Sequence, residues 1–241
     1  KFKVSSVTIR KDLNLLNKKG LLFKTHGGAS IQNPYINERN VSEKENIKVN
    51  EKKAMAREAI KLIEPSDYII IGSGTSMQTL ASELDRDYEL NIITSSLHVA
   101  IELTKSPHYK ILQLGGNVRH SSSSVTGHFS TSILEDISCN LLFLGVDGID
   151  LDFGCTTTSI EEAILNKEMI NSAQKVVILA DSSKFNKKGF GKICDLNAVH
   201  HIITDAAVDK AIVNEIHGRG IEVTVAQQLD IHKLASNFKT K

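Results

Sequence analysis

The feature that most constrains the fold is an alternation of short apolar runs with helical patterns from Tyr68 onward. Parallel strands need crossover connections between them, and helices usually provide these, so the alternation is typical of an α/β domain with a largely parallel sheet. Seven strands are predicted, at residues 68–71, 91–94, 110–114, 141–146, 176–180, 201–204 and 221–225. Five helices are predicted, at residues 76–84, 97–103, 128–137, 160–173 and 208–217.

Polar segments follow five of the predicted strands. They are GSGTS at 72–76, TSS at 94–96, GGNVR at 115–119, DGID at 147–150 and DSSK at 181–184. Each segment alone is compatible with ordinary turn formation. Ligands of open parallel sheets, however, bind beyond the carboxyl ends of the strands, where all five segments would meet. Glycines let the backbone approach an anion, and a helix N-terminus offers unpaired N–H groups.

This predicted edge suits a phosphorylated polyol, because it combines a cradle for phosphate with acceptors for sugar hydroxyls. The candidate effector-binding residues are Gly72, Ser73, Gly74, Thr75, Thr94, Ser95, Ser96, Gly116, Arg119, Asp147, Gly148, Asp181 and Lys184.

The first 24 residues are strongly basic and predict a short helix. They carry seven basic residues against a single acidic one, although the whole chain has a net charge of only +1. Ser5 or Ser6 can cap the helix, and Ile9, Leu13 and Leu16 form a narrow apolar stripe. A solvated amphipathic helix would carry similar charge, but the stripe and the glycine-rich ribbon that follows favour nucleic acid. The candidate DNA-binding residues are Ser6, Thr8, Arg10, Lys11, Asn14, Lys18 and His26.

Two groups of motifs resemble the DeoR family of bacterial transcriptional regulators. The first group is VSSVTIRKDL at 4–13, GLL at 20–22 and HGGA at 26–29. The second is IGSGT at 71–75, LGVDGID at 144–150, GCTT at 154–157 and ADSSKF at 180–185. The resemblance implies a winged helix-turn-helix with its recognition helix and wing. It also implies an effector-sensing domain similar to ribose-5-phosphate isomerase, with a phosphosugar ligand.

The DNA-binding module of that family begins with helices upstream of the recognition helix, whereas this chain begins at Lys1, already entering it. We therefore expect an N-terminally truncated chain that binds DNA poorly by itself, although the full-length parent protein binds operator DNA. The expected organisation is a partial winged helix-turn-helix at 1–32, a linker helix at 33–65 that acts as a hinge, and an α/β effector-sensing domain at 66–241.

Composition and residue spacing limit the classes of protein to which the chain can belong. Three widely spaced cysteines, Cys139, Cys155 and Cys194, indicate reduced thiols in a cytoplasmic protein. No apolar run approaches the roughly 20 residues that span a bilayer, so no membrane partner is expected. The nine histidines have no metal-ligand spacing. We predict no metal and no cofactor.

Two other functions remain open at this point. A sugar-phosphate isomerase would need a carboxylate base and a cation, which Asp147, Asp150, Glu161 or Glu162, and Lys184 could provide. However, TTT at 156–158 stands where the isomerases have a glycine-rich stretch, and a basic N-terminal helix serves no purpose in a free isomerase. A pure interaction module ranks third. The favoured reading is a non-enzymatic regulator, acting as a homo-oligomer because a symmetric dimer matches two DNA half-sites.

Overall fold

A seven-stranded parallel sheet organises the chain, of which the computed structural model describes residues 5–18, 21–25, 28–30 and 40–227. The helices are α1 (Ser6–Lys18), α2 (Val41–Glu45), α3 (Val49–Ile60), α4 (Thr75–Glu83), α5 (Leu97–Leu103), α6 (His128–Ser132), α7 (Ile160–Asn171) and α8 (Lys210–Gly218). The strands are β1 (Phe23–Thr25), β2 (Gly28–Ser30), β3 (Tyr68–Ile71), β4 (Leu90–Thr94), β5 (Tyr109–Gln113), β6 (Asn117–Arg119), β7 (Ser124–Thr126), β8 (Cys139–Gly145), β9 (Gly148–Asp150), β10 (Gly154–Thr157), β11 (Ala173–Leu179), β12 (Gly191–Cys194), β13 (His201–Asp205) and β14 (Glu222–Ala226).

The large sheet has the order β14-β13-β11-β8-β3-β4-β5, and every neighbouring pair is parallel. Its central strands are buried on both faces, as Ile69, Ile70 and Ile71 illustrate. Continuous β-branched runs of this kind are typical of parallel sheets covered by helices on both sides. All seven predicted strands belong to this sheet, so the predicted α/β class with a largely parallel sheet is confirmed.

Helices cover the two faces of the sheet in separate groups. On one face, α3, α4 and α5 contribute Met55, Met77 and Leu103 to a buried cluster. On the other face, α7 and α8 contribute Met169 and Ile216 to a second cluster. The two faces therefore have separate apolar cores, and the carboxyl ends of the strands remain available for polar groups.

The part of the predicted linker helix that the structure describes, residues 40–65, contains two helices, α2 and α3, with a turn between them. In that turn Lys48 adopts a left-handed conformation, with φ 54° and ψ 44°. Helix α3 packs Ala54, Met55 and Ala59 into the core of the α/β domain. Its apolar residues therefore hold α3 against the sheet, and the expectation that the segment acts as a hinge stays a prediction.

Short antiparallel strands were not predicted. β6 pairs with β7, and β9, β10 and β12 form a three-stranded sheet beside α7. Each strand has three or four residues, mostly small or polar, so its pattern differs little from that of a loop. The helix predicted at 128–137 is divided into α6 and a 3-10 helix at Ile133–Asp136.

The described N-terminal residues form the predicted helix and ribbon. The Thr8 amide donates to Ser5 Oγ at 3.2 Å, which makes Ser5 the cap of α1. β1 and β2 then form an antiparallel hairpin in which Phe23 lies opposite Ser30. Across all described segments, none of the helices combines the length and apolar character needed to cross a bilayer.

Candidate functional site

The direction in which the chain winds through the sheet changes between β3 and β8. From β3 the chain continues through α4 to β4 on one side, and from β8 it continues through α7 to β11 on the other. Such a switch point opens a crevice at the carboxyl ends of the two central strands. The residues that follow these ends are 72–75 after β3 and 146–147 after β8. These two ranges contain five of the predicted effector-binding residues, Gly72, Ser73, Gly74, Thr75 and Asp147.

Asp147 lies at this switch point and contacts two lysines. Its Oδ1 accepts from Lys44 Nζ at 2.9 Å and from Lys184 Nζ at 3.5 Å. Thr157 Oγ1 donates to the other oxygen, Oδ2, at 3.2 Å. Burial alone would raise the pKa of Asp147, but the ammonium groups of Lys184 and Lys44 hold this pKa well below its ordinary value. The side chain is therefore an anion that can accept further hydrogen bonds.

Glu162 joins the two sides of the crevice. Ser73 Oγ, from the segment after β3, donates to Glu162 Oε1 at 3.0 Å, and Thr157 Oγ1 lies 3.1 Å from Glu162 Oε2. Burial and the nearby Asp147 carboxylate raise the pKa of Glu162, and Arg119 counteracts them. Two neighbouring carboxyl groups thus have pKa values shifted in opposite directions.

A second group of charges surrounds Lys48. Its ammonium lies 2.9 Å from Asp181 Oδ1 and 3.3 Å from Asp205 Oδ2, and it donates to Ser182 Oγ at 3.0 Å. Burial lowers the pKa of Lys48, but the hydrogen bonds and charges of Asp181 and Asp205 together outweigh it, so the net shift is upward. Asp181 also accepts from the Ser183 amide, and its pKa is lowered because these partners outweigh burial.

Together these side chains form what we call the rim cluster. Six of its members, Ser73, Asp147, Asp181, Ser182, Lys184 and Asp205, lie at or just after the carboxyl ends of strands of the large sheet. The others are Thr157 from β10, Glu162 from α7, and Lys44 and Lys48 from the α2–α3 segment. The predicted residues Ser73, Asp147, Asp181 and Lys184 are thereby brought together.

The lysines of the α2–α3 segment were missed from the sequence. Lys44, Lys48 and Lys52 are spaced by four residues, which is the spacing of one helix face. In the structure Lys48 lies in the turn between α2 and α3, so this spacing alone does not place the three lysines together. Lys52 is buried, and its Nζ donates to the Lys44 carbonyl at 2.7 Å. Burial lowers the pKa of Lys52. The segment therefore presents the ammonium groups of Lys44 and Lys48 to the rim cluster.

The segment before α4 has the geometry expected of an anion site. Gly74 caps the helix with φ 99°, a conformation that side chains disfavour. An added Cβ at Gly74 would meet no heavy atom within 4 Å, so its surroundings are open. The first amides of a helix attract anions. Gly72 and Thr75 flank this turn at the end of β3 and the start of α4.

Other predicted effector residues take part in local structure. Thr94, Ser95 and Ser96 are almost completely buried. Thr94 Oγ1 accepts from the Ser96 amide at 3.1 Å, and Ser96 Oγ accepts from the Val99 amide at 3.3 Å, which caps α5. These hydroxyls of Thr94 and Ser96 therefore shape the turn after β4.

Three further predicted positions lie at the margins of the crevice. Gly116 precedes β6, and Gly148 begins β9, where an added Cβ would lie 2.5 Å from the Lys187 carbonyl oxygen. Arg119 donates to Ser159 Oγ, the hydroxyl that caps α7, and lies 3.8 Å from Glu161. Its positive charge acts to lower the pKa of Glu162, so Arg119 contributes to the electrostatics of the site.

The predicted DNA-binding side chains of α1 are exposed. They are Ser6, Thr8, Arg10, Lys11 and Asn14. Lys18 is the last residue of the helix, and His26 lies outside the described residues. The arrangement leaves the polar and cationic face of α1 accessible to a polyanion.

The structure offers no alternative centre for metal chemistry within the segments it describes, where no group of three or more His, Cys, Asp or Glu side chains could hold an ion. A cavity of about 420 Å³ lies at the beginning of β3, β4, β5 and β8 and is lined largely by apolar side chains such as Ile92, Ile111 and Leu112. The charged groups of the rim cluster are absent from that lining, so we place the candidate site at the carboxyl edge.

The fold has partial counterparts among solved structures. Ribose 5-phosphate isomerase A from Methanocaldococcus jannaschii superposes with a TM-score of 0.42 and 17% identity, covering 56% of this chain and 53% of that one. At this level the superposition carries no argument about activity.

Sequence relatives are much closer. The HTH-type transcriptional regulator YulB of Bacillus subtilis is 35% identical over 223 residues, which cover 92% of this chain and 86% of that protein. The lactose phosphotransferase system repressor of Staphylococcus epidermidis is 34% identical over 205 residues, covering 84% and 81%. These relatives are regulators of transcription, in agreement with the prediction that the chain is not an enzyme.

Two family models account for most of the chain. The DeoR-like helix-turn-helix domain matches residues 1–34, and the DeoR C terminal sensor domain matches residues 47–206. The second match begins within the α2–α3 segment and ends beyond Asp205, so it includes Lys48 and most of the rim cluster. The exposed basic helix and the charged crevice thus correspond to the two modules of one known arrangement, and the chain belongs to the DeoR family of DNA-binding transcriptional regulators.

Proposed function

We propose that the protein represses a carbohydrate-utilisation operon and that a phosphorylated sugar, bound at the rim cluster, controls its binding to operator DNA. One observation carries the proposal. The switch point of the sheet combines the N-terminus of α4 with side chains of both charges, Asp147 with Lys44 and Lys184. A relative at 34% identity is named as a repressor of the lactose phosphotransferase system, which supports a sugar-related operon.

A phosphorylated sugar needs one site for its phosphate and another for its hydroxyl groups, and we assign these to different parts of the crevice. The open turn at Gly74 and the first amides of α4 suit the phosphate, with Ser73 and Thr75 beside it. Asp147 and Asp181 are anions that can accept hydrogen bonds from sugar hydroxyls. Lys184 lies within reach of Asp147 and contributes positive charge.

The DNA partner is proposed to meet α1. Arg10 and Lys11 would contact phosphates, and Ser6, Thr8 and Asn14 carry groups that can reach base edges. We further propose that the protein acts as a homo-oligomer, because two symmetric readers match two half-sites. Ligand binding would then alter the spacing between the DNA-binding modules of the oligomer. By reciprocity, an inducing ligand would bind more weakly in the presence of operator.

A thermal-shift screen followed by calorimetry tests the sensor. The probes are ribose 5-phosphate, fructose 6-phosphate, glucosamine 6-phosphate and tagatose 6-phosphate, each matched with its unphosphorylated sugar. A specific ligand raises the melting temperature by mass action, and its unphosphorylated counterpart should not. If no phosphorylated sugar shifts the melting temperature while the protein is folded and pure, the proposed ligand class is wrong.

A further inference from the structure

We propose that Lys44 and Lys48 are themselves ligands of the effector's phosphate, so that the α2–α3 segment directly senses whether the site is occupied. The inference rests on the proposed function, since it assigns further residues and a regulatory step to the same site. Nothing in the pattern of strand-end loops pointed to these lysines, because they precede the first strand of the sheet.

The first support is the arrangement of charges. Lys44 lies 2.9 Å from Asp147, and Lys48 lies 2.9 Å from Asp181 and 3.3 Å from Asp205. The lysine side chains keep 30% and 24% of their surface exposed, whereas Asp205 keeps only 4%. Each lysine side chain is therefore more exposed than the carboxylates that it contacts.

The second support is that a phosphate would compete for these lysines. A phosphate dianion near the rim would be repelled by three carboxylates unless cations moved toward it. Lysine has a flexible stem with three rotatable donors, so its ammonium can change partners without movement of the sheet. Asp147 would retain Lys184, and Asp205 would retain the amides of Ser182 and Ala207.

The third support is the backbone of Lys48. Its left-handed conformation is unfavourable for a residue with a side chain. The ion pairs with Asp181 and Asp205 hold the residue in this turn. Exchange of those pairs for a phosphate removes part of that restraint. The turn separates α2 from α3, on the route between the DNA-binding module and the sheet, so occupancy is converted into a change in this segment.

The experiment uses the full chain and inorganic phosphate, titrated by calorimetry at constant ionic strength. Lys48→Met should lower phosphate affinity at least tenfold, and Lys48→Arg should restore most of it because the cation is kept. Lys44→Met, the second variant, should also lower the affinity. Lys53→Met is the matched control, because Lys53 is exposed on α3 outside the rim cluster. Circular dichroism checks that each variant is folded.

A variant of opposite sign distinguishes ligand binding from a structural role. Asp181→Asn removes a carboxylate that competes for Lys48, so it should raise the affinity for inorganic phosphate by about threefold. Hydrogen exchange of amides 44–52 should change when phosphate is added to the wild type and stay unchanged in Lys48→Met.

The possible failures are distinct. If Lys48→Met binds phosphate as the wild type does, or if Lys48→Met and Asp181→Asn both weaken binding, the lysine is not a phosphate ligand, and the proposed function stands on the sugar-phosphate screen. Unchanged exchange at 44–52 in the wild type likewise overturns the inference. If the wild type binds neither inorganic phosphate nor any sugar phosphate, the proposed function fails, and the inference fails with it.

Discussion

Replacement of Asp147 by asparagine is the most informative single change at the rim. The substitution keeps the size of the side chain and one acceptor oxygen but removes the negative charge that faces Lys44 and Lys184. It therefore tests both the stability of the cluster and the proposed contact with a sugar hydroxyl. Asp152→Asn is the matched control, since the Asp152 side chain is 92% exposed and belongs to no part of the rim.

The expected loss of stability follows from the contacts. Two lysine pairs are lost, and each is partly exposed, so each contributes about 1 kcal/mol after allowance for solvent screening. The amide oxygen can still accept from Thr157. Unfolding should therefore cost about 2 kcal/mol less than in the wild type, which corresponds to a melting temperature lower by roughly 4–8 °C for a domain of this size.

This difference should depend on pH. The folded state holds the pKa of Asp147 below the ordinary value of 3.8. The contribution of the ionised carboxylate is fully present above about pH 5, and it is lost as the pH falls below 3.8 through the lower folded-state pKa. Urea denaturation at several pH values should therefore show the variant and the wild type converging in acid. A constant difference between pH 7 and pH 3 would contradict the reasoning.

Ligand binding provides the second measurement. Loss of a charged acceptor should lower the affinity for the sugar phosphate found in the screen by about tenfold, since a charge-assisted hydrogen bond contributes about 1.5–3 kcal/mol. Inorganic phosphate has no sugar hydroxyl, so its affinity should not fall.

The regulator should convert no phosphosugar over hours. Turnover by the wild type that Asp147→Asn abolishes would refute a purely regulatory role, because an amide cannot take the proton.

Three other changes test separate parts of the chain. Arg10→Ala with Lys11→Ala should weaken operator binding and reduce the slope of log affinity against log salt by about 2, measured by fluorescence anisotropy; an unchanged slope would exclude phosphate contacts. Gly74→Ala should cost about 1 kcal/mol because of the positive φ, and it should weaken phosphate binding in calorimetry; full affinity would place the phosphate elsewhere. Ser159→Ala should cost about 1 kcal/mol in urea denaturation, since the Glu162 amide loses its cap; no loss would show that the cap is dispensable.

The sheet could be predicted because its strands carry their own signal. Runs such as residues 69–71 are β-branched and are buried on both faces, and they are separated by helical patterns long enough to cross over. The strand-end argument also placed Ser73, Asp147, Asp181 and Lys184 near one another, since parallel strands end at the same edge. These inferences need only the local pattern and one rule of topology.

The missed parts depend on packing over long sequence distances. Lys44 and Lys48 have the composition of a solvated helix face, and only the docking of α3 on the sheet brings them to the rim. Asp205 is the last residue of β13, and no glycines or hydroxyls follow it as they follow the other strand ends, so the sequence did not indicate it. Ser96 shows the converse: its hydroxyl looked like a ligand but caps a helix.

The order of strands in the sheet has a consequence for how the chain is made. β3 lies between β4, which follows it closely, and β8, whose residues Leu141, Leu142 and Phe143 pair with it from far along the chain. A growing chain that has just completed β5 therefore exposes an apolar strand edge at residues 69–71. Non-local parallel pairing of this kind is slow. During synthesis the half-built sheet must stay unpaired until β8 emerges, and this interval is when the protein is most open to association with other chains.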